Sequence, residues 1–177
     1  MLYTILGIMI AISLVLLIIT IYYNKFNFAI IKIIEAENNI DILFDKKKEL
    51  LERTRAIIKK ELKLKEFLED IEYLNETTIN HFEMNNSLKS LHNELNKTLD
   101  ENEKLYKSEA LLSIVEEINS NEEAILGSTK FYNDNVVIFN QLVGSFPSSL
   151  VALLWRYKKK EFYNNEKKEM YEILNEK

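Results

Sequence analysis

Residues 2–23, LYTILGIMIAISLVLLIITIYY, form an apolar run without a single charge. A helix of that length extends about 33 Å, enough to cross a bilayer core of about 30 Å. The run has no polar face, unlike a helix at the surface of a water-soluble domain. Tyr3 at one end and Tyr22 and Tyr23 at the other suit the aromatic belts at membrane interfaces. A cleaved signal peptide would need a basic start, a shorter apolar core and a small-residue cleavage site. Here the first basic residue is Lys25, and the run ends in Tyr-Tyr-Asn-Lys. Residues 1–23 therefore read as a retained transmembrane anchor.

Past the anchor the pattern becomes amphipathic. Positions spaced alternately by three and four from Ile33 are Ile33, Ala36, Ile40, Leu43, Lys47, Leu50, Thr54, Ile57, Glu61, Leu64, Leu68 and Ile71, and nine of these twelve are apolar. Phe44, Leu51 and Ile58 widen the stripe on one side. A heptad-like repeat of this kind is a surface for packing against other helices. Anchor and stalk read as one helix from about residue 3 to about 73. Asn75-Glu76-Thr77-Thr78 supplies N-cap residues for the first turn. A second helix is predicted over about 78–99, with Ile79, Phe82, Leu88, Leu91, Leu95 and Leu99 apolar. After a weak point at Asp100–Lys104, a third spans about 104–145 on Leu111, Ile114, Ile118, Ile125, Tyr132, Phe139, Leu142 and Phe146. Pro147 disfavours helical geometry at Phe146 and suits the first position of the next helix, so 145–149 reads as a turn. A short apolar helix, Leu150–Trp155, follows. The charged tail from Arg156 has a helical patch near its end.

Composition supports this reading. There are three Gly, one Pro and no Cys, and neither Gly nor Pro occurs between Gly7 and Gly127. Sheets need tight turns, which draw on these residues, so sandwich, barrel and doubly wound folds are excluded. The expected fold is all-α: a transmembrane helix continuing into an elongated antiparallel bundle of three or four long helices. The anchor is 1–23, the bundle domain 24–163, and the charged, partly helical tail 164–177. Without Cys there is no disulfide scaffold, thiol nucleophile or thiolate zinc site. The net charge is −5, and only Arg53, Arg55 and Arg156 are Arg. Both facts argue against a nucleic-acid partner. The Lys, Asn and Ile bias reads as a bacterial genome rich in A and T. No basic residue lies on the N-terminal side of the anchor, whereas Lys25, Lys32, Lys46, Lys47 and Lys48 follow it. The positive-inside rule then places the N-terminus outside and residues 24–177 in the cytoplasm of a single-pass protein of the bacterial cytoplasmic membrane.

Two stretches carry a family resemblance. Tyr23-Asn24 followed by EAENNIDILFDKK at 35–47 resembles the start of the LemA family domain through Tyr23, Asn24, Glu35, Ala36, Asn39, Ile40 and Asp41, with Lys46 and Lys47 as its basic pair. The stretch at 130–163 resembles the family's closing motif more closely, through Tyr132, Asn133, Val136, Asn140, Phe146, Pro147, Ala152, Tyr157, Lys158 and Phe162. Glu37 stands where the family usually has Trp, Glu52 where it has Pro, Leu64-Lys65 where His-Glu is common, Thr129 where Arg is usual and Arg156 where Gly is usual. The chain thus resembles a divergent member. The resemblance implies a single-pass bacterial membrane protein with a helical bundle domain, and it implies no reaction.

Asn133 and Asn140 are seven residues apart and share a helix face. They are either an amide pair for a ligand or buried amides fixing helix register, with Asn39 and Asp41 as expected partners across the bundle. His81 and His92 lack the Glu three residues earlier that a dimetal bundle needs and read as exposed polar positions. Glu116-Glu117 and Glu122-Glu123 point about 100° apart within each pair and read as a solvated acidic face. Arg156, Lys158, Lys159 and Lys160 follow the LVALLW run and allow two readings: contact with an anionic membrane surface, or the basic end of a capping helix. No catalytic, cofactor or metal residues are assigned and no cofactor is expected. The expectation is a membrane-anchored, non-catalytic helical interaction or scaffold protein. It touches the bilayer through residues 2–23 and an unidentified protein partner or its own copies elsewhere. The alternative is a helical-bundle enzyme or metal carrier tethered to the membrane.

Overall fold

The computed structural model describes residues 1–76 and 80–163. These form five α-helices: α1 Leu2–Leu62, α2 Asp70–Glu76, α3 His81–Glu101, α4 Glu109–Gly144 and α5 Ser148–Trp155. A 3-10 helix, Glu103–Lys107, joins α3 to α4. There is no strand among the described residues, and the fold is all-α. Ile79 and the helical patch expected near the C-terminus lie outside the described residues, as does the tail 164–177.

The chain folds into two compact units, one from Met1–Ala36 with the chain from Lys130 onward, the other from Glu37–Thr129. In the first, Phe26, Ala29 and Ile33 of α1 pack with Val136 and Phe139 of α4 and Val151 and Ala152 of α5. The Phe26 and Phe139 rings meet edge to face at 5.6 Å. Phe26 lies opposite Phe139, and α1 up to Ala36 shares this unit with α4 from Lys130 on, so the end of α4 lies beside the stretch of α1 that follows the apolar run.

The second unit buries Ile40, Phe44, Leu50, Leu51 and Ile58 of α1 with Leu88, Leu91, Leu95 and Leu99 of α3 and Leu111, Ile114, Ile118 and Ile125 of α4. Between α1 and α3 the chain returns along α1. Arg55 donates to the Phe67 carbonyl at 2.9 Å and to the Glu72 carboxylate at 2.6 Å, and Asn75 bonds Glu52. The Arg55 hydrogen bond, reinforced by its charge, holds the Glu72 carboxyl below its ordinary pKa.

Several boundaries differ from the expected ones. The first helix stops at Leu62 rather than near 73, and the next two helices start at Asp70 and His81. Lys63 and Leu68 take left-handed φ values of 53° and 48°, which break the pattern without Gly or Pro. Capping of α3 falls to Asn80, whose Oδ1 accepts from the Glu83 N–H at 2.9 Å; Thr77 and Thr78 lie outside the described residues. The buried positions of α1 pair at eighteen-residue intervals: Phe26 with Phe44, Ile33 with Leu51, and Ile40 with Ile58. That is five turns at 3.6 residues, whereas a heptad seam advances at 3.5. The heptad positions Leu43 and Ile57 are accordingly only half-buried, and Glu61 is exposed. The α4 stripe ends earlier than expected, since Phe146 is 81 % exposed.

The turn at 145–147 and its helix appear where Pro147 placed them, although Pro147 occupies the N-cap and the Phe146–Pro147 bond is cis. α5 ends on Arg156 at φ 57°, with the Tyr157 N–H bonded to the Ala152 carbonyl at 2.9 Å and the Arg156 N–H to the Leu153 carbonyl at 3.3 Å. This left-handed cap is the conformation that Gly adopts without a Cβ penalty. Arg156→Gly is expected to stabilise the chain by about 1 kcal/mol. Chemical unfolding of the full chain in detergent micelles measures it, and a destabilised variant would contradict the assignment.

Candidate functional site

The closing motif comes together in the first unit. From Tyr157 to Tyr163 the chain is not helical, and its main chain runs back along α4 as a strap. Asn140 Oδ1 accepts from the Lys160 N–H at 2.8 Å, and Asn140 Nδ2 donates to the Lys160 carbonyl at 2.9 Å. One turn pair further, Asn133 Oδ1 accepts from the Tyr163 N–H at 2.9 Å. The Tyr132 hydroxyl donates to the Glu161 carbonyl at 3.2 Å. Both asparagines are buried. A primary amide presents one acceptor and one donor in the geometry of a peptide group, so Asn140 pairs with Lys160 much as a neighbouring strand would. The amides thus hold the strap, and their bonds do not run to Asn39 or Asp41 as expected. Asn39 is exposed, and Asp41 pairs with His81 Nε2 at 2.7 Å.

Aromatic rings fill the space below the clasp. Tyr157 lies 4.8 Å from Phe26 and 5.9 Å from Phe139, and Trp155 lies 5.1 Å from Tyr23. Burial, with a smaller contribution from Tyr23, raises the Tyr157 phenol above its ordinary pKa. Val136 and Ala152 are core residues, Phe162 packs on that core half-buried, and Pro147 is half-buried in the turn. Asn24, Arg156, Lys158 and Lys159 are exposed, and the Lys160 side chain is half-buried.

The opening motif divides between the units. Glu35 is exposed and pairs with Lys32 at 2.7 Å, and Ala36 is buried in the first unit. In the second, Ile40 is buried and Lys46 exposed, while Lys47 is fully buried against the Glu122 carboxylate. Adjacent helical residues diverge by about 100°, so the basic pair separates into an outward and an inward member. Of the three polar positions on the apolar stripe, Lys47 and Thr54 are buried and Glu61 is exposed.

This corrects two expectations. Glu122 is not part of a solvated face, although Glu116, Glu117 and Glu123 are exposed. His92 is not an exposed position: it is half-buried, and its Nε2 is buried with no partner among the described residues. Asn121, next to Glu122 in the chain, is buried with both amide atoms likewise unpaired among the described residues. Burial and then the Lys47 charge push the His92 pKa down, while Glu122 and a hydrogen bond with Asn119 act the other way. A shallow groove of about 470 Å³ lies between Arg53, Ala56 and Ile57 of α1 and Ala110, Ser113 and Glu117 of α4.

A protein-family comparison bears on both motifs. The model of the LemA family matches residues 35–173, most of the chain. The chain belongs to the LemA family. No curated protein and no solved structure matches it. The LemA assignment and the apolar N-terminal helix together point to a membrane-associated protein with an N-terminal anchor. That helix has a mean hydropathy of 2.9 over its most apolar window, none of it buried. In this LemA chain the family's asparagines act on main-chain groups of the strap, a role that side-chain spacing alone does not reveal. Lys47 could have been flagged by its place on the apolar stripe; His92 and Glu122 had no comparable signal.

Asn140→Ala leaves a part-buried main-chain donor and acceptor at Lys160 without their partner and is expected to cost about 1–3 kcal/mol, with Asn133→Ala nearer about 1. Urea unfolding of the full chain, with faster proteolysis after Tyr157, is the measurement; unchanged stability would remove the clasp's structural role. The lowered His92 pKa gives a second expectation. The unfolded state takes up the proton near pH 6.5 and the folded state only below that, so the His92 contribution is complete above 6.5 and declines as pH falls through it. The pH slope of stability between 5.5 and 7 should be shallower in His92→Asn than in the parent.

Proposed function

We propose that this LemA-family chain is a single-pass, non-catalytic scaffold of the bacterial cytoplasmic membrane, anchored through residues 2–23 with residues 24–177 in the cytoplasm. It presents helical surfaces to a protein partner or to other copies of itself. The observation that carries this reading is the use of the closing motif. Tyr132, Asn133 and Asn140 direct their polar atoms to the main chain of residues 160–163. The residues that define the domain thus build and lock a shape. The charge-free first helical segment supports the anchor, and Lys25 and Lys32 on its C-terminal side support the topology.

Photo-crosslinking in native membranes is the direct test. A photoreactive residue at Phe28 or Ile31, both exposed on α1 just past the anchor, should give a discrete protein adduct. Protease added to intact cells should leave residues 24–177 uncut, and added to opened cells should cut them. Cutting on intact cells would reverse the topology. Stoichiometric bound metal in the purified full chain would replace the scaffold reading with that of a metal carrier or enzyme.

A further inference from the structure

α5 has two unlike faces. Ser148, Val151 and Ala152 are buried against the first unit's core. Leu150, Leu153 and Leu154 point the other way and are 54 %, 76 % and 65 % exposed. Phe146, in the turn before the helix, adds an 81 % exposed ring. Four large apolar side chains thus stand uncovered on one short segment, which marks an interaction surface.

The position of the helix identifies what covers it. Ile19, Tyr22 and Tyr23 of α1 pack on the same core as Val151 and Ala152. These are the last residues of the charge-free run, where an anchor leaves the hydrocarbon. Trp155 stacks on Tyr23 at 5.1 Å, so both interfacial aromatics lie at one level. The end of α4 lies beside α1 at this level, and α5 turns from it by 93°. A helix perpendicular to one that follows the anchor lies along the membrane surface. At eight residues, about 12 Å, it is too short to span. Directly after it come Arg156, Lys158 and Lys159, all exposed, with Lys25 on α1 near the same level. A cationic rim beside an apolar face is the arrangement of interfacial helices on anionic lipid.

We propose that the Phe146 turn and α5 form a foot embedded in the headgroup layer of the bilayer that holds the anchor. Phe146, Leu150, Leu153 and Leu154 enter the acyl boundary, and Arg156, Lys158 and Lys159 engage anionic headgroups. The inference rests on the anchored reading of residues 2–23 and adds a second, peripheral contact that fixes the first unit on the membrane plane.

Trp155 is the sole tryptophan, so the full chain carries its own probe. The chain is reconstituted into phosphatidylcholine and phosphatidylglycerol vesicles containing lipid brominated either near the headgroup or near the bilayer midplane. Trp155 emission is expected to be blue-shifted and quenched more strongly by the shallow bromines. Leu153→Glu with Leu154→Glu, both at exposed positions, should lose the quenching and red-shift the emission while retaining helix content. Lys158→Glu with Lys159→Glu should weaken quenching only when phosphatidylglycerol is present. A chain that floats with the vesicles while Trp155 is unquenched by either lipid overturns the foot and leaves the anchor standing. A chain that does not float with vesicles overturns the anchored reading and the foot with it. Quenching unchanged in the double glutamate variant also overturns the foot.

Discussion

A chain that leaves a helix still carries an unpaired donor and acceptor at nearly every residue, and burying them unpaired costs as much as a lost hydrogen bond. The stretch after α5 meets this constraint by borrowing partners from the side of α4. Asn140 matches both groups of Lys160, and Asn133 takes the Tyr163 N–H. With the strap secured, Tyr157 can lie over Phe26 and Phe139, and those rings close the core that seats Val151 and Ala152. The orientation of α5 therefore depends on two amides that do not touch it.

The second unit meets a different constraint. A fully buried Lys47 is tolerable only with a countercharge, and Glu122 supplies it from α4. Such a pair contributes little net stability against a well-packed apolar pair, but removing one member strands the other charge. It restricts the register in which α1 and α4 can meet there, since a slip of one turn would leave the buried Lys47 without its countercharge. His92 is held beside this pair in a setting that disfavours a third charge.

Helices were legible where periodicity was long and unambiguous. The α3 leucines Leu88, Leu91, Leu95 and Leu99 and the α4 series from Leu111 to Ile125 are buried as their spacing indicated, and Pro147 marked its turn. The break at 63–69 was hidden because Lys63 and Leu68 adopt left-handed geometry with residue types that do not announce it. The face of α1 was displaced because an alternating three-and-four template drifts about 20° per heptad from a 3.6-residue helix. The motif asparagines stood out, but their partners are main-chain groups, which are the same at every position and leave no trace in residue identity. Lys47 was visible as an intruder among apolar positions; its partner was one of many glutamates.

The strap is gripped by its backbone, and this separates attachment from content. Asn140 and Asn133 recognise an N–H and a carbonyl at residue 160 and an N–H at residue 163. Any residue offers these groups except proline, which lacks the N–H. The outward side chains at 158, 159 and 161 can therefore change in charge, size or polarity while the fold keeps its fastening. The segment works like a label holder: the frame is fixed, and what is written in it is free.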